Sequence, residues 1–182
     1  MEYLDIVDEQ GQPTGEIISR TLAHTEGIRH RTAHIWIVRR ENEHFQVLMQ
    51  KRAMSKDSFP GKYDTSSAGH IQAGDEPLAS GLRELAEELG IHAKPEDLAF
   101  AGCIHGNFAE EFHGKIFRDN EIAFVYVYQQ PVNIETLVLQ KEEVESVRWF
   151  DLEETYQNCQ NRNTQFCAPV PGLEVVRRYL YS

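Results

Sequence analysis

Three glutamates, Glu84, Glu87 and Glu88, stand within a few positions of one another in the stretch GHIQAGDEPLASGLRELAEELGI, residues 69–91. On a helix, positions i, i+3 and i+4 are neighbours, so the three carboxylates would share one face. Like charges so placed repel by roughly a few tenths of a kcal/mol per pair, and helix formation gives no reason to gather them. A hard divalent cation does. Mg²⁺ is bound through one or two carboxylates and completes its shell with water and substrate phosphates; Mn²⁺ accepts the same oxygens. An acidic face by itself is also the ordinary dress of a solvated helix, so the elements around it must decide.

The helix is set by Leu78, Leu82, Leu85 and Leu89, whose spacings of four, three and four make the apolar stripe of a half-buried helix. Asp75 and Glu76 precede Pro77 at its start, and Gly90 ends it. Before it, residues 2–20 read as a β-hairpin around a Gly- and Pro-rich turn, and residues 21–32 as a loop or short helical turn carrying His24, Arg29, His30 and Arg31. Residues 33–40 and 45–52 read as strands joined by a polar turn. A loop over 53–61 and a short extended run over 62–68 then deliver Gly69. After the helix, 98–108, 121–130 and 144–150 read as strands, and the polar stretch 109–120 as a loop, either an ordinary surface loop or one long enough to serve as a substrate lid. Asp151 caps a further helix, and 172–181 forms a closing one. Strands interspersed with helices predict an α/β protein: an α/β/α sandwich over a mixed β-sheet, with an N-terminal β-hairpin extension.

At 182 residues and 41% hydrophobic, the chain suits one globular domain spanning 1–182. A net charge of -11 argues against a partner held through nucleic-acid phosphates or an anionic membrane surface. An anionic small substrate must then be met locally, by metal and a few cations. Cys103, Cys159 and Cys167 are odd in number and scattered, which indicates neither a disulfide framework nor a zinc ribbon and fits a cytoplasmic protein. No apolar segment reaches membrane length. A homodimer is left open.

The whole stretch resembles the signature of the Nudix hydrolases: Gly69, five residues, an acid at Asp75, seven residues, Arg83-Glu84-Leu85, one residue, Glu87-Glu88, one residue, Gly90-Ile91. The family usually has glutamate where this chain has Asp75, the partner of the arginine, so the shorter side chain must reach Arg83. The resemblance implies the Nudix sandwich fold and a metal-dependent hydrolase cleaving the diphosphate linkage of a nucleoside diphosphate derivative or related compound. It implies Mg²⁺ or Mn²⁺ on Glu84, Glu87 and Glu88, with Gly69, His70 and Glu121 beside them. The general base would be Glu84 or Glu88, then Glu121. Arg83 would complete the catalytic set by holding the box loop.

A finer similarity, to the isopentenyl-diphosphate isomerases, runs through residues 23–25, 51–56, Pro60-Gly61, Gly69-His70, 119–121 and Trp149. Arg29, Lys51, Arg52 and Lys56 are the cations expected against the phosphates, and this similarity implies that Arg52 is the best positioned of them. It also implies a second metal site built from His24 or His30 with His70, Asp119 and Glu121, a mixture suited to manganese or zinc. The isomerases need a cysteine directly before Gly-His, where this chain has Ala68, so isomerase activity would require another thiol such as Cys103. A non-catalytic nucleotide-binding module is the third reading. Substrate identity would lie in 29–31, 109–120 and 166–172. Phe59, Phe108, Phe112 and Phe166 would serve as core or as stacking surface.

Overall fold

The computed structural model describes residues 1–182 in full. The N-terminal hairpin is formed by β1 (Tyr3–Val7) and β2 (Pro13–Ser19), a two-stranded sheet of its own with an isolated bridge from Leu4 to Gln72. Helix α1 (Arg20–Glu26) follows, capped by the Ser19 hydroxyl and stopped by Gly27 in the left-handed conformation. Of the two readings of residues 21–32, the short helical turn is the one the structure has, and β3 (His30–Glu41) begins three residues before the expected strand.

β3 is the axis of a seven-stranded mixed sheet. Its second half pairs with β4 (His44–Arg52) and its first half with β6 (Ser67–His70), so β4 and β6 fork apart along one edge. β8 (Lys115–Tyr128) runs parallel to it on the other edge, with His30 opposite Glu121. β5 (Tyr63–Asp64) and β9 (Val144–Asp151) extend the sheet on β4, and β7 (Leu98–Phe112) on β8.

Period-two alternation sorts β3 between two cores. Trp36 and Val38 face α3 (Leu152–Gln160) and α4 (Val170–Tyr181); Ala33, Ile35 and Ile37 face α2 (Pro77–Leu89), whose Leu85 and Leu89 are fully buried. This is the expected α/β/α sandwich, with both faces of a largely buried sheet covered. Helix α2 begins at Pro77 and ends at Gly90 (φ 70°), as its punctuation predicts.

One expectation fails. Residues 109–120 are not a loop: β7 and β8 form one ladder from Leu98–Tyr128 to Phe112–Lys115, closed by His113 (φ 51°) and Gly114 (φ 74°). Two successive left-handed residues make the tight turn whose twist suits a hairpin. The polar composition masked the alternation of Phe117, Asp119 and Glu121.

Candidate active site

The fork between β4 and β6 anchors the acidic helix. Glu88 is 4% exposed and lies where the two strands part. The Ser67 hydroxyl (2.7 Å) and the Ala68 amide (2.9 Å) donate to its Oε1, and the Gln50 amide (3.3 Å) to its Oε2. Burial pushes the Glu88 carboxyl up, and those three hydrogen bonds pull it back. Glu84, one turn earlier, lies against Gly69 so closely that a Cβ there would land on its carboxylate. Its carboxyl is pushed up to about 7, by burial first and then by the Glu88 charge, with Arg83 opposing and Glu87 adding to the rise.

The loop before α2 is braced from two sides. Arg83 donates to Asp75 (2.7 Å) and to the His70 carbonyl (3.2 Å), so the aspartate reaches its partner after all. The N-terminal hairpin supplies Asp5, which accepts from the Gly74 amide (3.0 Å) and from Arg31 (3.1 Å). Arg83 sits behind Glu84 and does not line the cavity.

The cavity encloses about 650 Å³. Glu84, Glu87 and Glu88, with Gly69 and His70, form one wall; Arg52, Lys56 and Glu121 also line it. Nine acidic side chains face this space against three cations, Arg20, Arg52 and Lys56. Arg52 is fixed by Asp64 (3.1 Å) and by the Ser58 carbonyl (3.0 Å) and hydroxyl (3.2 Å).

Two expected phosphate ligands are elsewhere. Lys51 pairs with Glu145 on β9 at 3.3 Å, because the pleat of β4 turns it away from Gln50, which reaches Glu88. Arg29 lies outside the cavity, in the segment entering β3, where its carbonyl accepts from the Val7 amide of the hairpin. Arg31, also in the expected specificity loop, is committed to Asp5 and the Asp75 carbonyl. Cys103 is exposed on β7 and is not part of the cavity lining; the cysteine that does line it is Cys167, whose thiol is pushed well above its usual value by burial and then by Asp64.

Beside the acidic wall the sheet register gathers a second cluster. His24 from α1, His30 from β3 and His70 from β6 bring ring nitrogens within 4.8 Å of one another, and His30 does the same with Asp119 and Glu121 of β8. His24 Nε2 lies 3.0 Å from His70 Nε2. His30 Nε2 and Asp119 Oδ1 are buried, 3.6 Å apart, and make no hydrogen bond. Burial lowers all three imidazoles, His24 to about 4 with the His30 charge adding to it. Near neutral pH they are uncharged and offer lone pairs, so the donor set fits a cation. Burial also raises Glu121, but the hydrogen bond and charge of His34 (3.2 Å) outweigh it and keep this carboxylate ionised; burial and Glu121 together push Asp119 up.

His34, Asp64 and Gln50 escaped the sequence reading. The alternation of His30, Thr32 and His34 on one face of β3 was the available signal for the first; the other two act through neighbours that only the fork brings together. Of the aromatic residues, Phe59, Phe108 and Phe117 line the cavity, Phe112 packs on Phe59 (4.7 Å), and Phe166 lies in the core against Phe150 and Tyr63.

The sequence model of the NUDIX domain matches residues 28–166. The chain belongs to the Nudix family. It is 40% identical over 161 residues to an uncharacterised Nudix hydrolase of Clostridium acetobutylicum, covering 88% of this chain and 75% of that one. The Nudix fold is shared with a crystal structure from Deinococcus radiodurans (TM-score 0.68, 19% identity, 98% of this chain and 99% of that one). It is shared too with the NUDIX domain of Shewanella oneidensis NrtR, solved with ADP-ribose (TM-score 0.60, 15% identity, 90% and 99%). The chain is therefore a Nudix pyrophosphohydrolase, of a family acting on nucleoside diphosphate derivatives and generally using divalent metals. No helix is long and apolar enough to cross a membrane.

Proposed function

We propose that the cavity hydrolyses the diphosphate linkage of a nucleoside diphosphate derivative with Mg²⁺ or Mn²⁺ held by Glu84, Glu87 and Glu88. The observation that carries this reading is the surplus of acidic side chains, nine against three cations, in one cavity, which disfavours a polyanionic substrate unless divalent cations accompany it. Bound there, the ions would neutralise non-bridging phosphate oxygens and acidify a water. Glu84 is the general base we favour, since both oxygens of Glu88 are engaged by Ser67, Ala68 and Gln50. Gly69 gives Glu84 its place, and Arg83 with Asp75 fixes the loop that carries His70. Arg52 and Lys56 would meet the phosphates, and the wall of Phe59, Phe108 and Phe117 a flat organic group such as a base. The ADP-ribose carried by the Shewanella relative is consistent with a ligand of this shape.

The histidine cluster is proposed as a second site, for Mn²⁺ or Zn²⁺, formed by His24, His30, His70, Asp119 and Glu121. The similarity to the isomerases supports it, as do the unpartnered His30 and Asp119 atoms. That branch's double-bond migration is not the reaction favoured here: Ala68 supplies no thiol, and Cys167 holds its proton. The unit proposed is the chain 1–182 as one domain, with its hairpin bracing the box loop.

The test is a panel of nucleoside diphosphate derivatives, dinucleoside polyphosphates and prenyl diphosphates assayed with Mg²⁺ and Mn²⁺. Phosphate or nucleotide release should require metal, stop with EDTA, and fall by about a hundred-fold or more in Glu88→Gln. Undiminished turnover in that variant would remove the assignment. For the second site, Mn²⁺ or Zn²⁺ stoichiometry should drop in His30→Ala, and an unchanged count would remove that proposal.

A further inference from the structure

The three cations of the cavity are not equally committed. Arg52 is held by two residues, Asp64 and Ser58, and Arg20 by Asp57 (3.2 Å) and Glu2 (3.8 Å). Lys56 has one side-chain partner, the Glu143 carboxylate, which has no other hydrogen bond and is 36% exposed. Both residues line the cavity. The main chain beneath the pair is fixed: His113 Nε2 lies 2.8 Å from the Lys56 carbonyl, and the Ala53 amide donates to the Glu143 carbonyl at 3.0 Å. Only the two side chains are free to change partners. The Lys56 ammonium is also near enough to the metal wall for its charge to act on Glu88 and His70.

We propose that Glu143 occupies the place of a substrate phosphate on Lys56 and is displaced when a diphosphate enters, so that this residue sets the affinity of the site. A carboxylate and a phosphate oxygen offer an ammonium the same charge-assisted hydrogen bond, and a diphosphate brought in with divalent ions is the stronger of the two. With Glu143 36% exposed the ion pair is partly screened by solvent, which lowers the driving force the exchange needs. The fixed backbone keeps Lys56 aimed throughout. Glu143 thus differs from the metal-wall glutamates: its role is to be replaced.

This inference rests on the diphosphate reading of the cavity, and titration with methylenediphosphonate in Mg²⁺, followed by calorimetry, separates the two. Glu143→Gln keeps the shape and the backbone hydrogen bond but loses the ion pair, and should bind the probe about three- to ten-fold tighter than wild type. Glu143→Asp keeps the charge but is too short to reach Lys56, and should also bind more tightly. The same factors should appear as a lowered KM. Tighter binding by the glutamine variant alone would mean general charge repulsion and overturn the exchange. Weaker binding by the glutamine variant would make Glu143 a metal ligand and overturn it as well. Failure of the wild-type protein to bind the probe would instead overturn the diphosphate reading itself.

Discussion

Glu84→Gln should make the metal-free protein more stable at alkaline pH. In the folded chain, burial and Glu88 hold the Glu84 carboxyl near 7, against 4.5 for the ordinary side chain. The folded state therefore keeps a proton that the unfolded state has released. The stability linked to this group is complete below about pH 4.5 and is lost as pH rises to about 7. At about 1.36 kcal/mol per pH unit that gap is worth about 3 kcal/mol, and with a side chain 15% exposed to screening solvent about 2 kcal/mol is a fair expectation. For a chain of this size, about 2 to 4 °C per kcal/mol gives a melting temperature roughly 4 to 8 °C higher in the glutamine variant at pH 8 in EDTA. At about pH 4, where Glu84 is protonated in both the folded and the unfolded state, the two should melt together. Added Mg²⁺ should stabilise wild type at pH 8 and the variant much less, because a ligand that binds only the folded state raises stability by mass action. Equal melting of the two proteins at pH 8 in EDTA, or equal gains from Mg²⁺, would refute the claim that Glu84 is a strained carboxylate awaiting a cation.

Other substitutions separate position from chemistry. Gly69→Ala drives a methyl group into the Glu84 carboxylate, so turnover should fall by about a hundred-fold with only about 1 to 3 kcal/mol lost from stability; steady-state kinetics beside a urea melt would check both. Arg52→Lys cannot span Asp64 and Ser58 together, and KM should rise by about ten-fold or more, more than kcat falls. Phe108→Ala should weaken nucleotides by about 1 to 2 kcal/mol while leaving methylenediphosphonate binding unaltered; an equal loss for both would place the ring in the fold and not against the organic group.

The sequence yielded most where local rules govern. The leucine stripe, Pro77 and Gly90 define α2 almost residue for residue, and with α2 come the three glutamates. The alternation of β3 and β4 and the Asp151 cap were legible for the same reason. What could not be read depends on segments distant in the chain. Lys51 and Arg52 are adjacent in sequence, yet only the pleat decides which one sees the cavity. Lys56 gains Glu143 from 87 positions away, and His34 gains Glu121 from across a parallel register. The 109–120 stretch was misread because charged side chains on a solvated hairpin hide its alternation, leaving His113-Gly114 as the sole turn signal.

The parallel pairing of β3 with β8 has a consequence for assembly. Matching His30 to Glu121 encloses some ninety residues, among them β4, β6 and all of α2. Closing so large a loop comes late and slowly, since its entropy must be lost before the contacts can repay it. The histidine–acid cluster straddles that seam, so it can form only after the rest of the sheet is in order. A metal ion could therefore lock the finished molecule but not nucleate it: excess Mn²⁺ should slow unfolding on transfer into denaturant and leave the refolding rate on dilution as it is in EDTA.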